Sequence, residues 1–404
     1  MVPIRAGVAL RRKLMVATVA FLTVVDLFAM QALLPSLAAH YAVSPAAMGL
    51  AVNACTLGMA ISSLAVALGS RYIGRRQGIL ASLMLLAVPT GLLASAPDLA
   101  AFAALRMAQG MFMAAAFTLT LAHLGEHCTA QEAAGAFAAY ITGNVASNLI
   151  GRLMAAGMAQ HLGLAGGFYG FALLNCLGAA FAFVTLLRRP AMPAPERAAV
   201  AAPPAWRHHL HRPELRAGFG IGFCILFAFI GTFSYVNFVL VRPPFSLGPM
   251  QLGLVYLVFL PSVVSTPLAA WAATLWSIRA ALLAAFTMAA LGLPLLLVPA
   301  LPAVLAGLAL VAAGSFLAQA LATGYVGRIA QQDRTAASGL YLACYFGGGL
   351  VGSAVLGQLF EVFGWTGCVT GISLAFAAAS VLALRCQESP ATVSMPVVLG
   401  RPSA

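Results

Sequence analysis

Apolar runs of about 20 residues, each long enough to cross the hydrocarbon core of a bilayer as a helix, recur from Leu14 almost to the end of this 404-residue chain. In lipid, backbone polar groups have no water to turn to, so such runs must be helices or closed barrels. Their length and the lack of strict alternation select helices. Only 7% of the residues are charged, against about 25% in an ordinary soluble domain, and the mean hydropathy is +0.98. A water-soluble globule is excluded, and an all-α polytopic membrane protein is expected.

Turns, prolines and charge clusters place helices near 14–39, 47–69, 78–95, 99–122, 133–160 and 166–187, then 215–241, 249–273, 280–298, 302–329, 335–360 and 365–384. The stretch from Arg188 to Arg216 is rich in Pro, Arg and His and has no run able to span. The chain therefore divides into a six-helix bundle over 1–187, a linker over 188–214, and a second six-helix bundle with a short tail over 215–404. Internal repetition supports the division. Tyr140 and Gly143 recur 205 residues on as Tyr345 and Gly348, and repeats of this kind are typical of secondary transporters.

The net charge of +12 would suit a nucleic-acid partner only if the charges shared one solvent-facing surface. They are instead scattered among short loops. Apart from Arg106, Arg152 and Arg242, every Lys and Arg falls in loops and tails on the side of the N-terminus. Basic residues collect on the cytoplasmic side, so both termini are expected there. The first helix follows Arg11, Arg12 and Lys13 as a signal peptide would, but it is long, holds Asp26 and lacks a clear cleavage site, so it reads as a retained helix. The seven cysteines are an odd number scattered through apolar segments and read as packing residues.

Within the fifth helix Tyr140, Asn144, Asn148 and Arg152 recur every four residues and form one stripe. Gly143, Ser147 and Gly151 form a second stripe of small residues that lets another helix approach closely. Polar groups in hydrocarbon face protein or a wet cavity, so this helix should pack on one side and line a passage on the other. Interhelical bonding by the two asparagines is the plainer alternative. In the repeat, Asn144, Asn148 and Arg152 become Gly349, Ser353 and Gly357, so the chemistry of the stripe belongs to the first half.

Eight of the nine acidic residues fall in predicted loops, tails or helix ends. Asp26 is the exception, about 18 Å into the first helix and so near the bilayer midplane. A carboxylate there is expensive when ionised, and a nearby cation favours the charge, a tension suited to proton coupling. Arg106, about 12 Å deep from the other side, is placed to pair with Asp26, to release it on protonation, or to bind an anionic substrate. Arg152 lies near the outer end of its helix, where it can snorkel to the interface. In the second half Tyr235, Asn237, Gln251, Tyr256, Ser315, Gln319 and Tyr325 suit a partly apolar substrate with a few polar anchors. Gln319 is expected to bond to a neighbouring helix.

From about Leu14 to Arg385 the chain resembles the major facilitator superfamily, most closely its bacterial inner-membrane efflux branch, which includes drug and proton antiporters. Leu105-Arg106-Met107-Ala108-Gln109-Gly110 matches that family's Arg-x-x-Gln-Gly signature, linked there to proton coupling. Gly143 to Arg152 is similar to the antiporter glycine motif, with Asn144 where Pro is commoner, and Phe233-Ser234-Tyr235-Val236-Asn237 also resembles this branch. Gly74-Arg75-Arg76 matches the end of the family's loop between helices two and three, where a gate is expected. Arg71 stands at the usual Asp position, so the acidic gating partner is absent or supplied elsewhere.

His123-Leu124-Gly125-Glu126-His127 formally matches a metalloprotease pattern, but it falls in a short predicted inner loop with no evident third ligand. No phosphate-cradling Gly-Lys-Ser or Gly-Lys-Thr loop is present, so an ATP-driven pump is not indicated. The expectation is therefore a transporter without cofactor or metal, a monomer in the bilayer with no nucleic-acid partner. It would export a small, partly hydrophobic molecule against protons, with Asp26 and Arg106 coupling the proton. Gln109, Tyr140, Asn144, Asn148, Arg152, Tyr235 and Asn237 would line the passage, and Gly110 would pack helices. An importer on the same fold is the alternative, and a hydrolase using His123, Glu126 and His127 the remote one.

Overall fold

The structure, a computed structural model, describes residues 14–69, 74–127, 130–187, 206–330 and 334–386. Among the described residues the long helices number twelve. The first half has α1 in two arms, Leu14–Val24 and Ala29–His40, bent by 43°. It continues with α2 (Pro45–Gly69), α3 (Arg75–Ser95), α4 (Leu99–His127), α5 (130–162) and α6 (164–182). The second has α7 (Pro213–Leu240), α8 (Pro249–Val255 continuing through Leu260–Leu275), α9 (Ile278–Leu297), α10 (Leu301–Ile329), α11 (334–363) and α12 (365–383). The turns between α5 and α6 and between α11 and α12 pass through Gly163 and Gly364, whose φ angles of 72° and 66° suit a residue without Cβ.

Three expectations change. The first helix is broken over 25–28 rather than continuous. Helix α4 runs on through His127, so the His123 to His127 motif lies on a helix and not in a loop. Among the described residues no three His, Cys, Asp or Glu gather as metal ligands. The predicted linker end is also ordered: Trp206–His211 is a short helix, and Arg212 donates to the carbonyl of Ile329 at 3.1 Å just before α7. Arg71 and residues 188–205 lie outside the described residues.

Both ends of the described chain lie at one end of the bundle, called here the tail end, because the helices alternate in direction. Helices α3, α6, α9 and α12 carry exposed apolar residues such as Leu92, Leu173, Leu291 and Leu374, the surface that lipid covers. Helix α7 is buried along nearly its whole length and forms the central post. The repeat seen in sequence is a repeat of packing. A Cβ on Gly143 or Gly151 would strike the carbonyls of Ala17 or Val25, so α5 rides directly on α1. Gly348 and Gly352 meet the carbonyls of Phe223 and Phe227 in the same way, so α11 rides on α7.

Candidate functional site

The break in α1 is where the chemistry gathers. Over residues 24–31 the helix ladder shortens, with the amides of Leu27 and Gln31 bonding to the carbonyls of Val24 and Phe28 at 3.0 Å each. Irregular backbone at membrane depth survives only where protein satisfies it. Arg106 does this from α4, donating Nη2 to the carbonyl of Leu27 at 2.9 Å and Nε to that of Val52 on α2 at 3.0 Å. Such an approach needs α2 and α4 in backbone contact. Gly58 and Gly110 provide it, since a Cβ on either would collide with the other helix at Met107 or Cys55.

Asp26 sits inside the break, fully buried within the first half. Three neutral donors converge on its Oδ2: Gln109 Nε2 at 3.1 Å, Thr90 Oγ1 at 3.2 Å and Asn175 Nδ2 at 3.2 Å. The same Gln109 accepts from Arg106 Nη1 at 2.6 Å. Asp26 and Arg106 are thus joined through an amide, which is what the i to i+3 spacing of Arg106 and Gln109 achieves on one helix. Asp26 Oδ1 and Asn175 Oδ1 have no hydrogen-bond partner.

Two turns along α5 from the cavity-lining Asn144, Arg152 occupies the seam between the halves. It does not snorkel to the surface: it is fully buried. Its guanidinium carbon lies 5.1 Å from the ring centre of Phe28 in α1 and 4.5 and 4.8 Å from those of Tyr256 and Phe259 in α8. Nη1 donates to the carbonyl and side-chain oxygen of Asn148 at 2.5 and 3.2 Å, and Nη2 to Gln31 Oε1 at 2.5 Å. Nε has no partner. Gln31 in turn reaches Ser234 Oγ at 3.4 Å and accepts Asn237 Nδ2 on its carbonyl at 2.9 Å. Asn53 Nδ2 bonds to Ser234 and Ser353 at 3.3 and 3.2 Å, and Glu361 accepts the amide of Ala46 at 3.0 Å. These bonds close the seam away from the tail end.

On the tail side of this closure lies a cavity of about 50 Å³, lined by Phe28, Asn144 and Asn148 from the first half and Phe229, Phe316, Gln319 and Tyr345 from the second. Asn144 and Asn148 therefore line this cavity, while Gln109 does not. Gln319 faces the cavity instead of a neighbouring helix. Tyr235 is buried, donating to the carbonyl of Ser353 at 2.5 Å, and Gln251 caps α8 by accepting the amide of Gly248 at 2.8 Å. Gly74, Arg75 and Arg76 begin α3 at the tail end. The side chain of Tyr140 lies outside the described residues. Sequence reasoning missed Gln31, Asn53, Thr90 and Asn175 as network members. The available signal was the same one that marked Asn148, a lone amide or hydroxyl inside a spanning run.

Comparison with known proteins finds the Major Facilitator Superfamily model matching residues 16–259, more than half of the chain. Over 370 residues the chain is 25% identical to the uncharacterized MFS-type transporter YybF of Bacillus subtilis (strain 168), covering 91% of each. It is 24% identical over 370 residues to the inner membrane transport protein YnfM of Escherichia coli (strain K12), covering 89% of this chain and 86% of that one. A solved bacterial homolog of the human lysosomal transporter Spinster, inward-facing and unoccupied, is similar in fold. The TM-score is 0.67 over 96% of this chain and 95% of that one, at 14% identity.

Proposed function

Because the chain belongs to the major facilitator superfamily of membrane transporters, we propose that it exports a small, partly hydrophobic molecule in exchange for protons, by alternating access. It is a transporter and not an enzyme. In this reading the halves 1–187 and 215–404 rock about the cavity as a monomer in a bacterial inner membrane, with both tails cytoplasmic. The inner membrane named for YnfM supports the location, and the asymmetry of basic residues supports the orientation. Export rests on the resemblance of the fifth-helix motif to that of antiporters.

The single observation that carries the coupling is Asp26, a carboxylate held at the break of α1 by neutral donors with one oxygen open. Loss of its proton would leave an anion one amide away from Arg106. The attraction would draw the guanidinium from the carbonyls of Leu27 and Val52 and loosen the break. Phe28, next along the chain, is a cavity wall, so proton occupancy and cavity shape become one equilibrium. Substrate and proton then favour different states and displace each other.

The test uses everted membrane vesicles with an acid interior, carrying the intact protein or Asp26→Asn at matched levels and exposed to a panel of partly apolar compounds. Antiport predicts that some compounds release lumenal protons in the intact protein and none do in the variant. A release unchanged by Asp26→Asn removes Asp26 from coupling. Proton release only when the compound is loaded inside the lumen makes the protein a symporting importer.

A further inference from the structure

The geometry points to Arg152 as the receptor for an anionic group on the substrate, which we infer to be an organic acid with an apolar body. This rests on the transport reading above but on a different part of the molecule from Asp26.

The two buried arginines are satisfied to different degrees. Arg106 has an acceptor at all three nitrogens, two of them backbone carbonyls and the third an amide that leads on to a carboxylate. Arg152 has acceptors at two nitrogens, all of them neutral, and a bare Nε. No acidic side chain among the described residues pairs with it, and three aromatic faces take up the charge instead. A permanent cation fully buried with no acidic partner among the described residues is costly, and its planar fork matches a carboxylate or sulfonate in two-point contact. Two of the three rings belong to α8 in the opposite half. When the halves part, those rings leave and the fork is uncovered toward the passage, where Phe28 and Asn148 are already both cavity wall and arginine partner. The apolar body would lie against Phe229 and Phe316. A cationic or neutral substrate would leave the fork bare.

Binding is measured by thermal shift and calorimetry on the purified full chain in lipid nanodiscs. The probes are matched sets: phenylbutyrate with phenylbutanamide and phenylbutylamine, and naphthalenesulfonate with its sulfonamide. The acids are expected to bind and stabilise while the amides and the amine do not. Arg152→Gln should weaken acid binding roughly tenfold or more, the loss of a charge-assisted two-point contact. Arg152→Lys, which keeps the charge and guards against a variant that fails to fold, should weaken it roughly threefold. Arg242→Gln, at an exposed loop cation, should leave it unchanged. Equal binding of acid and amide, acid binding indifferent to both Arg152 variants, or no binding of any acid overturns the inference. Proton release driven by an amine or amide in Arg152→Gln vesicles also overturns it while leaving export intact. Arg152-dependent acid binding with no proton exchange upholds the anion site and removes the export reading instead.

Discussion

Two arginine–glutamine relays lie within a few turns of each other, and they end differently. Arg106 passes through Gln109 to Asp26, and every member belongs to the first half. Arg152 passes through Gln31 to Ser234, and the last member belongs to the second half. The first relay is a network internal to one half that ends on a carboxylate, which the proposed function makes the proton carrier. The second spans the surface between the halves, so under the proposed alternating access its contacts are made and broken in a cycle. On the proposed reading, the same residue types serve a chemical switch when sealed within one bundle and a mechanical latch when shared between two.

The sharpest way to break the first relay is through the packing that holds it. Gly110→Val would drive a branched side chain into the carbonyl of Cys55 and separate α2 from α4, taking Val52 out of reach of Arg106. A loss of about 3 kcal/mol or more is expected, read as a collapse of the thermal transition in detergent. Gly157→Ala, where nothing lies within 4 Å of the added methyl, should cost nothing. Equal behaviour of the two would mean that the α2 and α4 contact does not position Arg106.

Next in size is the contrast between the two glutamines. Gln109→Leu removes a donor from Asp26 and the acceptor of Arg106 Nη1 at once. A destabilisation of about 3 kcal/mol is expected, together with loss of proton exchange. Gln31→Leu removes the acceptor of Arg152 Nη2 and one bond to Ser234, but it spares the backbone carbonyl that Asn237 uses. It should cost about 1.5 kcal/mol, while amide hydrogen exchange rises in α7 and α8 around Ser234 and Tyr256 as the seam opens more often. If Gln31→Leu leaves exchange at the seam unchanged, the second relay is not a latch.

The fold was legible because lipid removes most alternatives: apolar runs, loop charge and the recurrence of Tyr140 and Gly143 at Tyr345 and Gly348 sufficed to give twelve helices in two related bundles. Asp26 and Arg106 stood out as charges where hydrocarbon should be, and the structure brings them to one cluster. What could not be read was the partner of each. Asn175 and Thr90 come to Asp26 from two other helices, a juxtaposition set by packing and not by spacing. Arg152 looked free to snorkel because depth along a helix says nothing about the neighbouring helix that covers it. Here α8 lies so close that a Cβ on Gly253 would meet Ala156, and it brings two rings over the guanidinium. The break in α1 was equally silent, since residues 24–31 carry no Pro or Gly. The break is stabilised by Arg106 from outside.

The smallest expected effect separates ring from hydroxyl at the latch. Tyr256 accepts Asn237 Nδ2 at 2.8 Å and reaches the carbonyl of Phe233 at 3.1 Å, while its ring face lies 4.5 Å from the Arg152 guanidinium. Tyr256→Phe removes the hydroxyl and keeps the face. About 1 kcal/mol of thermal stability should be lost, from one buried bond network left incomplete. Affinity for phenylbutyrate should stay within about twofold, because the anion is held by the guanidinium and the ring only covers it in the closed state. Tyr256→Leu removes the face as well, and it should make the closed state costlier and so favour the uncovered fork, raising acid affinity. A large loss of affinity in Tyr256→Phe would mean that the phenol is the hydrogen-bond donor to the anion. In that case Arg152 would be a structural charge and the two relays would differ in membership alone.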